Sequence, residues 1–291
     1  MWNENTSIYE PEVVKIKNLL IREGIVQESA FELKKNFDMT SGADLYPVIL
    51  LLDFSGSLIP VREQLNRATR NFVRTVLESR ETLTKRIDFA TVTFASKVKV
   101  RRPFGYITEE DLNESCEIRN DEMGGMTSMA SGMFVAWYLA EARKQMYKDA
   151  GIEDEYKQPV FVLISDLQNT EKTYYDGEYL VQKMIDLFNA KMEAKKLGLV
   201  KMLLGQIDQS YNEHLKGIVV GKPEEFAESL EKFFHELLAT VAYQKDKEEN
   251  FDSDEADDDV FQVYGPSSGP KNPPDDLSGL FVELNKLYDE D

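Results

Sequence analysis

Short apolar runs alternate with longer amphipathic stretches over residues 45–243. The run at 46–52 is continuously apolar, which is typical of a strand that is buried on both faces of a parallel sheet. The longer stretches repeat apolar residues every three or four positions, which is the period of a helix. The predicted strands are 46–52, 87–95, 97–101, 160–164, 199–207 and 218–220, and the predicted helices are 61–80, 130–148, 178–195 and 224–243.

The order of these segments predicts the fold class. Strands that alternate with long helices favour an open, doubly wound, mostly parallel α/β sheet with helices on both faces. Segments 87–95 and 97–101 are separated only by a tight turn, so we expect them to form an antiparallel hairpin at the edge of the sheet. We therefore predict one α/β domain over residues 44–243.

The two ends of the chain differ from this central region. Residues 1–43 contain an amphipathic stretch at 12–22, and we expect a helical arm packed on the domain, because so short a helix is marginal alone in water. Residues 244–291 hold an acidic run at 252–259 and many prolines, so most of this tail is predicted to be disordered. Apolar residues near its end predict a short amphipathic helix, packed on the domain or on a partner: Leu277, Leu280, Phe281, Leu284, Leu287 and Tyr288.

The charge of the chain narrows its possible partners. The 291 residues include 34 basic and 53 acidic side chains, a net charge of −19, of which the tail from residue 244 carries −11. An acidic chain is a poor binder of nucleic acid or anionic membranes, since both require cationic side chains. The single cysteine, Cys116, excludes an internal disulfide and a zinc site with several cysteines. No apolar stretch has the length of a membrane span and the first residues do not resemble an export signal, so we expect a cytoplasmic protein.

Oxygen-bearing side chains follow two predicted strands and precede one helix. Ligands of open α/β sheets bind beyond the carboxyl ends of the strands. Segment 53–57 follows the first strand, and its Gly56 is expected to let the backbone bend without a side-chain clash. Hard oxygen donors of this kind suit Mg²⁺ or Mn²⁺. The candidate ligands are Asp53, Ser55, Ser57, Thr127 and Asp166.

These residues, taken in order, resemble a known site. The pattern Asp53-x-Ser55-x-Ser57, followed by Thr127 within Gly-Gly-Met-Thr and by a strand-end Asp166, is similar to the metal-ion-dependent adhesion site of von Willebrand factor A (VWA) domains. The order of elements over residues 45–243 resembles that fold as well. The stretches Leu-Leu-Leu-Asp-Phe-Ser-Gly-Ser and Gly-Gly-Met-Thr further resemble the bacterial TerY-like branch, whose members occur in tellurium-resistance clusters. The arm and the tail lie outside the resemblance.

The resemblance implies a role for each candidate ligand. Ser55 and Ser57 would bind the metal directly, Asp53 and Asp166 largely through water, and Thr127 in either way. Two carboxylates balance the dication without oversupplying charge, so the metal would accept a Glu or Asp from a partner protein. The alternative is a metal-free site in which the two carboxylates only cap neighbouring backbone N–H groups. In the TerY-like branch, relatives are encoded near stress-response, kinase and phosphatase proteins, which implies a role in stress signalling.

Several enzyme motifs are incomplete in this sequence. A haloacid-dehalogenase phosphatase needs an aspartate where Ser55 stands, and Ser55 does not lie in the Gly-x-Ser-x-Gly elbow of a hydrolase. His214 and His235 both lie in helix-like segments, and His235 is expected on a helix surface. Segment 217–222 is one residue short of a phosphate loop, and the acidic run of the tail lacks the glycine and closing glutamate of a calcium-binding loop.

We therefore predict a Mg²⁺-dependent protein-interaction module rather than an enzyme. The alternative is a metal-dependent phosphoesterase or an accessory subunit of an ATPase or chelatase complex, since a metal with an open position can polarise phosphate. A further hypothesis is that a carboxylate of the tail fills the open metal position in cis, at high effective concentration, and blocks partners. The competing interpretation is that the tail only keeps the chain in solution.

Overall fold

A computed structural model of the chain describes most of the predicted domain and arm. The described residues are 2–33, 44–78, 86–112, 119, 123–152, 156–170, 177–204, 207–220 and 226–249. Cys116, the acidic run at 252–259 and the predicted terminal helix lie outside them. Within these ranges no helix combines the length and the apolar character needed to cross a bilayer.

The central element is a six-stranded sheet with the order β3-β2-β1-β4-β5-β6. All neighbouring strands are parallel except β2 and β3, which form an antiparallel pair at one edge. The predicted open, mostly parallel α/β sheet with an edge hairpin is therefore confirmed. The strands are β1 (Tyr46–Asp53), β2 (Ile87–Phe94), β3 (Val98–Arg102), β4 (Val160–Ser165), β5 (Gly198–Leu203) and β6 (Ile218–Val219).

Helices cover both faces of this sheet. Three features were not predicted: a 3-10 helix (Gly56–Val61) precedes the second α-helix, a short helix (Gln209–His214) follows β5, and the last helix extends beyond residue 243 to Glu249. The helices are α1 (Pro11–Arg22), α2 (Arg62–Glu78), α3 (Met129–Asp149), α4 (Gly177–Glu193), α5 (Gln209–His214) and α6 (Phe226–Glu249).

Two hydrophobic clusters lie on opposite faces of the sheet. Side chains alternate along a strand, so Ile49 and Leu51 of β1 face one cluster and Leu50 and Leu52 face the other. The first cluster includes residues of α3, α4 and the arm, and the second includes residues of α2 and α6. Every residue of β1 is buried, because helices cover it on both sides. This burial fixes the position of the carboxyl end of β1.

The N-terminal arm packs against the domain. Val13, Ile16 and Leu20 of α1 are buried in the cluster shared with α3 and α4, and the Trp2 ring lies 5.8 Å from the ring of Trp137 between centroids. Beyond α1 the arm reaches the outer edge of β3, where the Val98 N–H donates to the Ile25 carbonyl at 2.8 Å. The arm therefore covers part of an otherwise open sheet edge.

A close approach between α3 and β2 leads to a stability prediction. A Cβ added at Gly132 would lie 2.7 Å from Cδ1 of the buried Phe94 ring. We expect Gly132→Ala to lower the free energy of unfolding by about 1–3 kcal/mol, because the buried Phe94 ring would have to shift within the packed core. Urea unfolding measures this loss. Gly56→Ala is the control, since a Cβ there meets nothing within 4 Å. Equal losses in the two variants would contradict the prediction.

Candidate metal centre

The two candidate aspartates lie at the carboxyl ends of neighbouring strands. Asp53 is the last residue of β1 and Asp166 directly follows β4, and these two strands pair in register at Leu52 and Ile164. Both aspartates are buried, as are Ser55 and Thr127. The side chain of Ser57, the fifth candidate, lies outside the described part of the structure.

Asp53 has defined hydrogen-bond partners on both carboxylate oxygens. Its Oδ1 accepts from the Ser55 backbone N–H at 2.8 Å, and its Oδ2 accepts from the Ser165 hydroxyl at 2.7 Å. Burial raises the pKa of Asp53 to about 6, hydrogen bonds from Ser55 and Ser165 lower it, and the charge of Asp166 raises it further. Two carboxylates therefore share this buried edge, and a bound cation would offset their mutual repulsion.

A tight turn after β4 holds Asp166 in place. Its Oδ1 accepts from the Gln168 N–H at 3.0 Å, and its carbonyl accepts from the Asp208 N–H at 3.0 Å. Leu167, between Asp166 and Gln168, has a φ of 60°, a left-handed conformation that a leucine rarely adopts. The fully buried Leu167 side chain and a 2.9 Å hydrogen bond from its N–H to the Ser165 hydroxyl hold this turn.

The glycine-rich loop before α3 is tied to the first two strands. The Gly124 N–H donates to the Phe54 carbonyl at 2.7 Å, and the Met126 N–H donates to the Ser96 hydroxyl at 2.9 Å. Gly124 and Gly125 have φ values of 127° and 84°, and a Cβ at Gly125 would lie 2.4 Å from the Ser96 hydroxyl oxygen. Both positions therefore require glycine, which has no Cβ to clash.

Thr127 is linked to the loop that carries Asp166. Its N–H donates to the Thr170 hydroxyl oxygen at 2.8 Å, and the Thr170 N–H donates back to the Thr127 carbonyl at 3.0 Å. The segments that carry Asp53, Thr127 and Asp166 are thus connected by direct hydrogen bonds.

Two details of the sequence prediction have a definite outcome. The role expected for Gly56 is wrong: its φ is outside the left-handed region and a Cβ there would meet open space, so the chain turns instead through the 3-10 helix. The glycines that the loops require are Gly124 and Gly125. His235 is exposed on α6, as predicted, and His214 is the last residue of α5.

Three hydroxyl groups that support the candidate metal centre were not identified from the sequence. Ser165 donates to Asp53, and its position before the strand-end aspartate was a usable signal. Ser96 and Thr170 each accept from the loop before α3, and no local pattern identifies them, because their partners are 30 and 43 residues away.

The donor set fits a hard divalent cation. Two carboxylates and the hydroxyls of Ser55 and Thr127 are oxygen ligands, which Mg²⁺ and Mn²⁺ prefer. Among the residues that the structure describes, no group of three or more His, Cys, Asp or Glu side chains could hold a metal ion. A metal site at this edge would therefore use hydroxyl oxygens as well as carboxylates.

Comparisons with known proteins give distant structural similarities. No protein family and no curated protein matches the sequence. Proximal thread matrix protein 1 from the mussel byssus, in a form with a zinc-occupied MIDAS motif, is 16% identical over 68% of this chain and 46% of its own, with a TM-score of 0.42. Manganese-loaded Plasmodium vivax TRAP protein is 15% identical over 60% of this chain and 63% of its own, with a TM-score of 0.39. A mutant PilB minor pilin from Streptococcus sanguinis is 10% identical over 75% of this chain and 65% of its own, with a TM-score of 0.49. This chain thus spans about half the length of the mussel protein.

Proposed function

We propose that the chain is a VWA-type protein-interaction module that depends on a divalent metal. One observation supports this most directly: hydrogen bonds join the segments that carry Asp53, Thr127 and Asp166 at one edge of the sheet. That arrangement brings oxygen donors from distant parts of the sequence to the place where open α/β sheets bind ligands.

Each ligand has a separate role in this proposal. The hydroxyls of Ser55, Ser57 and Thr127 would bind Mg²⁺ or Mn²⁺ directly, whereas Asp53 and Asp166 would hold it mainly through water. When bound, the metal would supply an open coordination position for a Glu or Asp of a partner protein. The hydrogen bonds from Ser55 and Ser165 keep the Asp53 carboxylate oriented before the metal arrives.

The TerY-like resemblance adds a proposed setting. Under it, the module acts in the cytoplasm in bacterial stress signalling of the tellurium-resistance type. The stretches around Asp53 and Thr127 carry this part of the proposal.

The alternative function is metal-dependent phosphoester hydrolysis, alone or within an ATPase or chelatase complex. Hydrolysis requires a general base or a nucleophile near the metal. The two imidazoles of the chain are on α5 and α6, and neither forms a hydrogen bond with the described candidate ligands. Phosphatase and ATPase assays with Mg²⁺ and Mn²⁺ separate the two functions, since turnover that is lost in a metal-site variant would support the enzyme.

Partner capture tests the proposed function. We expect affinity purification with the full chain from its native host to recover a set of proteins in the presence of Mg²⁺ and to lose that set when a chelator replaces the metal. Mass spectrometry identifies the proteins, and an unrelated tagged protein of similar charge gives the background. Recovery of the same proteins with and without the metal would contradict the proposal.

A further inference from the structure

A cleft of about 370 Å³ lies beside the candidate metal centre. Phe54 and Gly124, from the two loops already described, form one side of it. The other side comes from the β2–β3 hairpin, through residues that include Lys97, Lys99 and Arg101. The cleft therefore belongs to the same edge of the sheet as Asp53.

Hydrogen bonds hold the β2–β3 hairpin against the two loops beside the candidate metal centre, the loop after β1 and the glycine-rich loop before α3. The Ser96 hydroxyl in the β2–β3 turn accepts from the Met126 N–H at 2.9 Å, and the Phe54 N–H donates to the Phe94 carbonyl at 2.8 Å. Lys97 follows Ser96 directly. The turn that precedes Lys97 is thus tied directly to the loop before α3, and β2 is tied to the loop after β1.

Three cations line one side of the hairpin. Lys97 and Lys99 are exposed, and neither forms a salt bridge with another described residue. The Arg101 guanidinium lies 5.9 Å from the centroid of the Phe54 ring, which places its charge next to the loop after β1. Alternate residues of a strand lie about 7 Å apart on one face, and alternate acidic residues of an extended peptide have the same spacing.

We propose that this cationic cleft, formed by Lys97, Lys99 and Arg101, is a second recognition site for an acidic polypeptide partner. The partner places one carboxylate on the metal, and neighbouring carboxylates lie against the three cations. The inference rests on the proposed function, and it adds the kind of partner: a segment with several acidic residues in succession.

The first residue of the chain's own acidic run, Asp252, is too close to the end of α6 to reach the cleft. Arg67 of α2 contacts Glu231 of α6, and Phe72, further along α2, stacks on Phe234, further along α6. The two helices therefore run in the same direction, away from the edge of the sheet that holds the candidate metal centre. From Glu231 to its end at Glu249, α6 extends about 27 Å. Asp252 is only three residues further, a span of about 11 Å, so the start of the run cannot return to the cleft. The inferred occupant is a partner in trans whose acidic residues complement the cations of the cleft.

Two labelled peptides test the inference with the full chain in Mg²⁺. One has a central Glu flanked on each side by two Asp, and the other has the same Glu flanked by Ser. We expect the first to bind about tenfold more tightly, from two or three additional ion pairs. Lys97→Gln combined with Lys99→Gln should remove this preference and leave the affinity for the second peptide unchanged. The control, Lys15→Gln with Arg74→Gln, removes two exposed charges elsewhere and should keep the preference.

The possible outcomes separate the inference from the proposed function. If both peptides bind in a Mg²⁺-dependent manner but the lysine variant keeps the preference, the cleft is not the second site. If neither peptide depends on Mg²⁺, the proposed function fails and the inference with it. Replacement of Asp257, Asp258 and Asp259 by Asn should leave the affinities unchanged. If the peptide affinities instead rise in this variant, and the rise requires Lys97 and Lys99, then the tail occupies the cleft and the inference of a partner in trans is wrong.

Discussion

Asp53→Asn is expected to abolish metal binding while the protein stays folded. Asp53 joins the loop after β1 to β4 through its hydrogen bond from Ser165, and it supplies one of the two candidate carboxylates that the described residues place at the centre. Asparagine has nearly the same shape and still offers an oxygen to one donor, but it carries no charge to hold a dication. Alanine would remove the charge as well, yet it would also leave the Ser55 N–H and the Ser165 hydroxyl without their acceptor.

The stability of the metal-free variant separates damage to the site from damage to the fold. Burial disfavours the ionised form of Asp53, which raises its pKa to about 6, so the folded metal-free protein carries an unfavourable charge at neutral pH. Removing that charge should leave the free energy of unfolding unchanged or raise it by about 1–3 kcal/mol. Loss of metal binding together with undiminished stability is the combination expected of a ligand-binding residue.

Denaturant unfolding with and without Mn²⁺ measures both effects in one experiment. A metal that binds only the folded state at about 100 times its dissociation constant adds about 2.7 kcal/mol to the stability of the unmodified chain. We expect no such gain in Asp53→Asn and the full gain in Asp186→Asn, which changes a carboxylate on α4 that hydrogen-bonds Gln182. A full Mn²⁺-dependent gain in Asp53→Asn would rule out this residue as part of the centre.

The strands of the sheet could be predicted because the apolar residues that mark each strand lie close together in the sequence. The segments that became β1 and β4 are uniformly apolar, and the structure buries both completely. The turn after β1 was harder to predict, because its backbone path depends on the 3-10 helix rather than on Gly56. The strand predicted over 199–207 ends at Leu203, and Asp208 caps α5 by accepting from the Ser210 N–H. Local apolar content therefore located the strands better than their ends.

The support of the candidate centre could be predicted only in part. A strand-end aspartate is visible in the sequence, so Asp53 and Asp166 were identified, and the structure places both at the same edge. The hydroxyls of Ser96 and Thr170 act on residues far away in the chain, and serine and threonine are too common for such a role to be recognised. The cleft beside the centre was not predicted for the same reason. The three cations of the hairpin line a cleft only because Phe54 and Gly124, which are distant from the hairpin in sequence, form its other side.

Arg143→Met is expected to destabilise the protein strongly without affecting the metal centre. Arg143 on α3 donates through Nε to Asp88 Oδ2 at 2.7 Å and through Nη2 to Asp88 Oδ1 at 3.1 Å, and both side chains are almost fully buried. Asp88 is the second residue of β2, so this pair lies at the end of the strands opposite the metal loops. Removing one partner of a buried ion pair typically costs about 3–5 kcal/mol, because it leaves a buried charge without compensation.

The loss should depend on pH in a defined direction. Burial raises the pKa of Asp88, and Arg143 opposes that increase through its charge and hydrogen bonds. Without Arg143 the pKa of Asp88 rises further, so the carboxyl group is protonated at low pH and the uncompensated charge disappears. We therefore expect urea unfolding to show the full loss near pH 8 and a clearly smaller loss near pH 5.

A double variant tests whether the uncompensated charge is the cause. Asp88→Leu with Arg143→Met removes both charges, and apolar side chains of similar volume should restore most of the stability at pH 8. Mn²⁺ binding should be retained in the double variant, because the pair and the metal centre lie at opposite ends of the strands. If the single variant lost the same stability at both pH values and the double variant did not recover, the lost packing of the Arg143 side chain over the Tyr147 ring, at 5.4 Å, would be the dominant cause instead.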